Sequence, residues 1–81
     1  MTPTSPDIRF DHAIDVTSIA QEYEIIGRQR CDCGGRLQLT RQSLVTHGHH
    51  HYDLMETECM ACHRPRNFLF NIDSFFGKDR V

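Results

Sequence analysis

The chain carries four cysteines, and they fall into two close pairs. Cys31 and Cys33 form the first pair, which two glycines follow, and Cys59 and Cys62 form the second, which His63 follows. Two close pairs, separated by a gap long enough for a β-hairpin, have the ligand spacing of a structural tetrahedral metal site in which four thiolates close the coordination sphere. This spacing constrains the fold strongly, because both pairs must then meet at one point in space.

The size of the chain favours a metal as a stabilising element. It has 81 residues, of which 38% are hydrophobic and none is tryptophan. A domain this small buries only about 60% of the surface that its unfolded chain exposes. Small domains usually add disulfides or a metal to a core of this kind. We therefore expect one domain over residues 8–81, preceded by a disordered lead over residues 1–7, where two prolines and three Ser/Thr residues stand.

The sequence also indicates in which cellular compartment the protein is expected. Its first residues lack the basic start and apolar run of a secretory signal, and no stretch approaches the roughly 20 apolar residues needed to span a bilayer. We expect a cytoplasmic protein with no membrane contact. In a reducing compartment cysteines stay as thiols, so the paired pattern indicates metal binding or redox chemistry before a disulfide framework.

One short helix is expected before the cysteines, over about residues 16–26. Ser18 and Gln21 have the spacing of a capping box, and Gly27 is placed to end the helix. Apolar side chains follow at helical period, namely Ile19, Ala20, Tyr23 and Ile26. A helix of about ten residues is marginal alone, so this apolar face must pack on the rest of the domain.

Alternating patterns predict three strands. Residues 37–45 and 52–58 alternate apolar and polar side chains on either side of a turn at Gly48, and the midpoint between Cys33 and Cys59 is residue 46, close to that turn. Two near-equal arms would bring both cysteine pairs to the same end. A third strand is expected at 67–72, followed by a turn that contains Phe75 and Phe76.

Together these features resemble the zinc-ribbon superfamily. The pattern Cys-x-Cys-Gly-Gly, a hairpin, Cys-x-x-Cys and a trailing aromatic strand covers about residues 31–72, and is similar to small uncharacterised bacterial zinc-ribbon proteins. Most ribbons use Cys-x-x-Cys in both turns, whereas the first turn here is Cys-x-Cys. The resemblance implies a small metal-stapled α+β fold, with a three-stranded antiparallel sheet, one short N-terminal helix and one structural Zn²⁺ per chain. Ribbons serve transcription factors, ribosomal proteins, enzymes and adaptors, so the fold alone carries little function.

The chemistry expected at the four cysteines is structural zinc, with no open coordination position and hence no Lewis-acid catalysis. Other uses of this pattern stay open. They are a rubredoxin-like iron or iron–sulfur centre, and disulfide or thiol redox chemistry. The sequence from Cys59 to His63 also satisfies the Cys-x-x-Cys-His pattern of c-type haem attachment, although that chemistry needs export and leaves Cys31 and Cys33 without a role.

Three further sets of residues could contact ligands or partners. The hairpin tip holds His47, His49, His50 and His51. Imidazoles there could bind a second metal weakly, or simply be solvated. Five arginines would flank the metal end, namely Arg28, Arg30, Arg36, Arg64 and Arg66. They could grip phosphates or an acidic protein surface, or only offset the anionic metal site. Of Phe75 and Phe76, we expect either that one caps the sheet and the other is exposed for a partner or a dimer, or that both pack on the helix.

The sequence contains no nucleophile elbow, phosphate loop, paired-carboxylate site or HExxH helix, so we expect no enzyme activity and no small-molecule substrate. The net charge of −2 is a poor background for non-specific nucleic-acid binding. We therefore predict a non-catalytic zinc-binding protein-interaction or accessory module, with a protein partner or a homodimer. The alternative is a nucleic-acid-binding ribbon that uses the arginines, and a redox or c-type haem protein is a further alternative.

Overall fold

The structure is a computed structural model that describes residues 9–77. The predicted disordered lead, residues 1–7, lies outside the described residues. A single 3₁₀ turn, Phe10–His12, opens the described chain. It is followed by β1 (Ile14–Asp15), α1 (Ile19–Arg28), β2 (Leu37–His47), β3 (His50–Cys59) and β4 (Pro65–Asn71). Within this part of the chain, no helix has the length and apolar character required to cross a membrane.

The strands form one mixed sheet in the order β1-β4-β3-β2. β2 with β3, and β3 with β4, pair antiparallel, as the predicted three-stranded sheet requires. The prediction was incomplete, because β1 adds a fourth strand that pairs parallel to β4 with Ile14 opposite Phe70. A strand of two residues is too short to show an alternating pattern. The fold is therefore α+β with a four-stranded mixed sheet.

The β2–β3 hairpin carries the cysteine pairs to one end of the sheet. His47 pairs with His50 across a two-residue loop that begins at Gly48, whose φ of 64° suits a hairpin turn with glycine first. At the other end of the hairpin Leu37 pairs with Cys59. One irregularity lies at Thr40, where the register shifts and the threonine hydroxyl donates to the Glu56 carbonyl at 3.0 Å.

Helix α1 begins three residues later than predicted and continues past Gly27. Ser18 caps it, because its Oγ accepts a hydrogen bond from the Gln21 amide at 3.1 Å, while the Gln21 side chain accepts from the Thr17 amide at 2.7 Å. Gly27 has helical backbone and does not end the helix. The chain instead leaves the helix at Gln29, which is extended, with φ −86° and ψ 152°.

The core lies between α1 and one face of the sheet. Its buried members are Val16, Ile26, Met55, Phe68, Phe70 and Ile72. The helix buries only part of the face that its apolar residues predict, since Ile26 is buried but Ile19 and Tyr23 are 44% and 47% exposed. Glu22 is fully buried in their place, one turn before Ile26. Because residues four apart share a helix face, Glu22 and Ile26 together define the inner side of α1.

Candidate metal centre

Two backbone turns position the four cysteines. Cys31 and Cys33 precede β2, where the Gly34 amide donates to the Cys31 carbonyl at 2.7 Å and closes the first turn. Cys59 is the last residue of β3 and Cys62 lies in the turn before β4. The Met60 amide donates to the carbonyl of Arg36 at 2.8 Å and joins the two turns. Strand pairing and these turns therefore bring both pairs to one end of the hairpin, as its equal arms predict.

The four sulfur atoms form one cluster. They all lie within 4.8 Å of one another, and the Sγ–Sγ distances are 3.5 Å for Cys31 with Cys62 and 3.5 Å for Cys33 with Cys59. Zn–S bonds of about 2.3 Å in a tetrahedron place the sulfurs about 3.8 Å apart, which falls inside this range. All four cysteines are free thiols. The cluster could therefore hold a metal ion, and within residues 9–77 it is the one group of side chains with such spacing.

Electrostatics at the cluster favour a bound cation. The amides of Cys62 and Ala61 donate to Cys59 Sγ at 3.4 and 3.3 Å, and they lower the pKa of Cys59 to about 6. The Arg64 amide also acts to lower the pKa of Cys62, but the neighbouring Cys31 and Cys33 thiols raise that pKa to about 12. One thiolate thus forms easily, while further thiolates repel it. A divalent cation among the sulfurs removes this repulsion.

No family model matches this chain, and neither a curated protein nor a solved structure does.

Glycine is required at two adjacent positions of the first turn for different reasons. Gly34 has a φ of 90°, the left-handed backbone expected after the second ligand, and His63 takes the equivalent conformation in the second turn with a φ of 66°. Gly35 is required by space instead. A Cβ atom there would lie 2.6 Å from Cys59 Sγ and 2.9 Å from Ala61 Cβ, which is closer than such contacts allow.

Gly35→Ala is expected to weaken metal binding, because the new methyl group must displace the sulfur of Cys59. Changes to groups that support metal ligands typically cost 10–100-fold in metal affinity, so we expect a loss of about tenfold or more for Zn²⁺, measured by competition with a chromophoric chelator. Gly27→Ala is the matched control, since nothing lies within 4 Å of its added Cβ. Equal Zn²⁺ affinity of Gly35→Ala and the parent chain would contradict the close approach.

The four histidines predicted at the hairpin tip lie at the opposite end of the hairpin from the cysteines, and three of them contact other groups. The His47 ring stacks on Phe10 with ring centroids 3.9 Å apart. His50 Nδ1 and His51 Nδ1 lie 2.6 and 3.2 Å from the two carboxylate oxygens of Asp73. The hydrogen bond from His50, with that from the His51 amide, lowers the pKa of Asp73 to about 2. Residues 47–50 of the tip are nevertheless exposed, so these contacts lie at the surface of the domain.

Four of the five arginines that were predicted to flank the metal end contact their own chain through their side chains. Arg30 donates to the carbonyls of Gly27 and Gln29, both at 3.1 Å, at the end of α1. Arg66 in turn donates to the Arg30 carbonyl at 3.2 Å and lies over the Phe68 ring, 5.4 Å from its centroid. The two ion pairs are Arg28 with Glu24 at 3.0 Å and Arg64 with Asp32 at 3.6 Å. The fifth arginine, Arg36, pairs through its backbone with Arg30.

The two adjacent phenylalanines divide between the core and the surface. Phe75 packs against the buried cluster. Phe76 is 38% exposed and stacks on the His51 ring, with centroids 3.9 Å apart. One aromatic side chain therefore closes the core, and its neighbour forms part of the surface.

A buried acidic pair was missed by the sequence analysis. Glu22 is fully buried and lies beside Asp53 of β3, which is 6% exposed. Burial, together with the neighbouring Asp53 carboxyl, raises the pKa of Glu22 to about 8. The protonated Glu22 carboxyl donates a hydrogen bond to Asp53, and beyond Asp53 no group among the described residues bonds to its oxygens. One feature of the sequence could have indicated that Glu22 is buried. It lies four residues before Ile26, a core residue, and residues four apart share a helix face.

Proposed function

We propose that this chain is a zinc-ribbon-like protein in which one structural Zn²⁺ is held by Cys31, Cys33, Cys59 and Cys62. The observation that carries the proposal is the cluster of four sulfur atoms within 4.8 Å of one another. Tetrahedral thiolate sites select zinc or iron, and zinc is the usual occupant of structural sites. Bound there, the ion serves as a cross-link between the two turns.

The function that this arrangement supports best is a non-catalytic protein-interaction module. Four protein thiolates fill a tetrahedral sphere, so the ion would offer no position to a substrate. The metal would fix the hairpin end, and the surfaces supported by the hairpin would contact the partner. Exposed apolar side chains on those surfaces support this role, notably Leu44, Ile19 and Phe76, which are 58%, 44% and 38% exposed.

The metal content of the natively purified chain tests the zinc assignment. We expect one zinc per chain by elemental analysis, and no visible absorption. A matched preparation from iron-enriched medium should contain zinc as well, because a thiolate site of this kind binds Zn²⁺ more tightly than Fe²⁺. Iron in stoichiometric amount, with the visible absorption of an iron–thiolate centre, would overturn it. A second equivalent of zinc would indicate that the histidines at the hairpin tip also bind metal.

A further inference from the structure

Strand β2 forms one edge of the sheet. In the order β1-β4-β3-β2 it pairs with β3 alone among the described strands, so its other side faces away from the sheet. The strand has 11 residues, of which seven are exposed. The strand at the opposite edge, β1, has only two residues. A long edge strand presents a row of backbone N–H and C=O groups that can pair with another strand.

The features that usually block such an edge are confined to the cysteine end of β2. The register shift at Thr40 distorts the strand there, and Arg41 adds a charge. Immediately before the strand, Arg36 already pairs with Arg30. Residues 42–47, which we call the open edge, contain no proline, no bulge and no lysine or arginine. This half of β2 therefore keeps the capacity to pair.

Alternate residues of the open edge direct their backbone groups away from the sheet. Residues 48 and 49 form a hydrogen-bonded turn, so His47 directs its N–H and C=O toward His50 of β3. The direction alternates along an antiparallel strand, and Val45 and Ser43 therefore also face β3. The remaining three residues of the open edge direct their backbone groups outward, namely Gln42, Leu44 and Thr46.

Leu44 combines an outward-directed backbone with an exposed side chain. It is 58% exposed, whereas the other leucines of the described residues are half-buried. A strand that pairs along the open edge would bond to the N–H and C=O of Leu44 and would also cover its side chain. The edge and the apolar surface at Leu44 therefore favour the same kind of partner, an extended strand.

We propose that the open edge pairs antiparallel with the open edge of a second copy of this chain, about a two-fold axis at Leu44. Leu44 then lies opposite Leu44 of the second copy, and the two residues exchange both of their backbone hydrogen bonds. Gln42 lies opposite Thr46 of the second copy, which extends the pairing on either side. The inference deepens the proposed function and rests on it in one respect, namely that the module binds a protein; it names that protein as another copy of the chain.

The open edge is complementary to itself in this register. Opposite residues lie on the same face of the joined sheet, so the two exposed leucines cover each other, while Ser43 lies opposite Val45 of the second copy. Arg41 lies opposite His47 of the second copy. Pairing centred on Arg41 would instead place two guanidinium groups opposite each other, which is destabilising. A second copy therefore supplies the backbone groups and the apolar cover for Leu44 without bringing two arginines together.

The paired surface is small, so the dimer should be weak. One pair of short strands buries less than the roughly 1,200 Å² below which protein interfaces are usually transient. We therefore expect a dissociation constant between micromolar and millimolar concentration, and the measurements below cover that range.

Sedimentation of the zinc-loaded full chain tests the dimer. We expect the parent to dimerise, and Leu44→Lys to raise the dissociation constant by about tenfold or more, because two ammonium groups then lie opposite each other. Met60→Lys is the matched control, since Met60 is 60% exposed and lies at the other end of the hairpin. Its dissociation constant should equal that of the parent. A parent chain that stays monomeric up to millimolar concentration, or a dimer that Leu44→Lys does not weaken, would overturn the proposal.

Hydrogen exchange of single backbone amides tests the register. The amides of Gln42, Leu44 and Thr46 should exchange more slowly at high protein concentration than at low concentration, because only the dimer occupies them. Those of Ser43 and Val45 should be protected at both concentrations, since they bond to β3. Rapid exchange of the first three amides in a dimeric sample would overturn this interface.

Two other occupants of the open edge would give different results. If the outward-directed amides are protected in a monomeric sample at every concentration, a segment of the same chain covers the edge. The second alternative is any extended segment, and two peptides test it: one has the sequence of residues 41–47, and the other has the same composition in scrambled order. Only the first should compete with dimerisation. Equal competition, or protection in the monomer, would overturn the second copy as the specific partner.

Failure of this inference can be distinguished from failure of the proposed function. Zinc content and the dispersion of the NMR spectrum are measured on the same samples. A folded, zinc-containing chain that stays monomeric rejects the dimer alone. A dimer with the expected amide protection, in a chain that contains no zinc, rejects the metal assignment alone.

Discussion

Removal of the metal is expected to unfold the protein. Structural zinc contributes roughly 10–16 kcal/mol of apparent binding free energy in small zinc peptides at pH 7, whereas whole domains are stable by only about 5–15 kcal/mol. The core here has only six buried residues, which pack between one helix and one face of the sheet. A strong chelator should therefore collapse the amide dispersion of the NMR spectrum, and excess Zn²⁺ should restore it.

Substitution of a single cysteine of the cluster should also unfold the protein. Cys59→Ser removes a buried sulfur that also accepts hydrogen bonds from two amides of the second turn. We expect loss of stoichiometric zinc and of a cooperative thermal transition, measured by elemental analysis and circular dichroism. Met60→Ala is the control, because Met60 occupies the same turn but is 60% exposed. A chelated chain or a Cys59→Ser variant that keeps a dispersed spectrum would show that the apolar core suffices.

The cysteine cluster and the hairpin could be predicted because one constraint specifies both. Ligand spacing requires the two pairs to meet, and equal strand lengths on either side of Gly48 provide the means. The close approach at Gly35 was not predictable, because it depends on where Cys59 Sγ of the facing turn lies. Gly34 has the positive φ that such a turn requires after its second ligand, whereas Gly35 does not.

Other features depend on tertiary contacts that leave no local pattern. β1 has two residues and pairs with a strand more than fifty positions later, so neither periodicity nor turn residues predict it. The buried face of α1 also depends on tertiary contacts. Its apolar residues favoured a face with Ile19, Tyr23 and Ile26, yet packing against the sheet buries only Ile26 of these three and adds Glu22. The pKa of Glu22 is raised by this burial and by Asp53, which lies on β3.

Glu22 should make the free energy of unfolding fall as pH rises. Carboxylates in ion pairs usually have lowered pKa values and make it rise with pH. The pKa of Glu22 is raised from 4.5 to about 8 in the folded protein, chiefly by burial. Between these values the folded state holds a proton that the unfolded state has released, so the free energy of unfolding falls as pH rises. Below pH 4.5 both states are protonated, and above about pH 8 both are ionised, so the effect is confined to that interval.

Glu22→Gln should remove this pH dependence, because the amide keeps the shape of the side chain without its titration. Metal ligation also varies with pH, but it is common to both chains, so the stability difference between variant and parent isolates Glu22. That difference should shift in favour of the variant by about 2 kcal/mol from pH 6 to pH 8, at roughly 1.4 kcal/mol per pH unit with some loss near the pKa. Denaturant unfolding in saturating Zn²⁺ measures it, and Glu24→Gln, whose side chain is 59% exposed, should show no such change. A difference that stays constant across this interval would mean that Glu22 is ionised in the folded protein throughout.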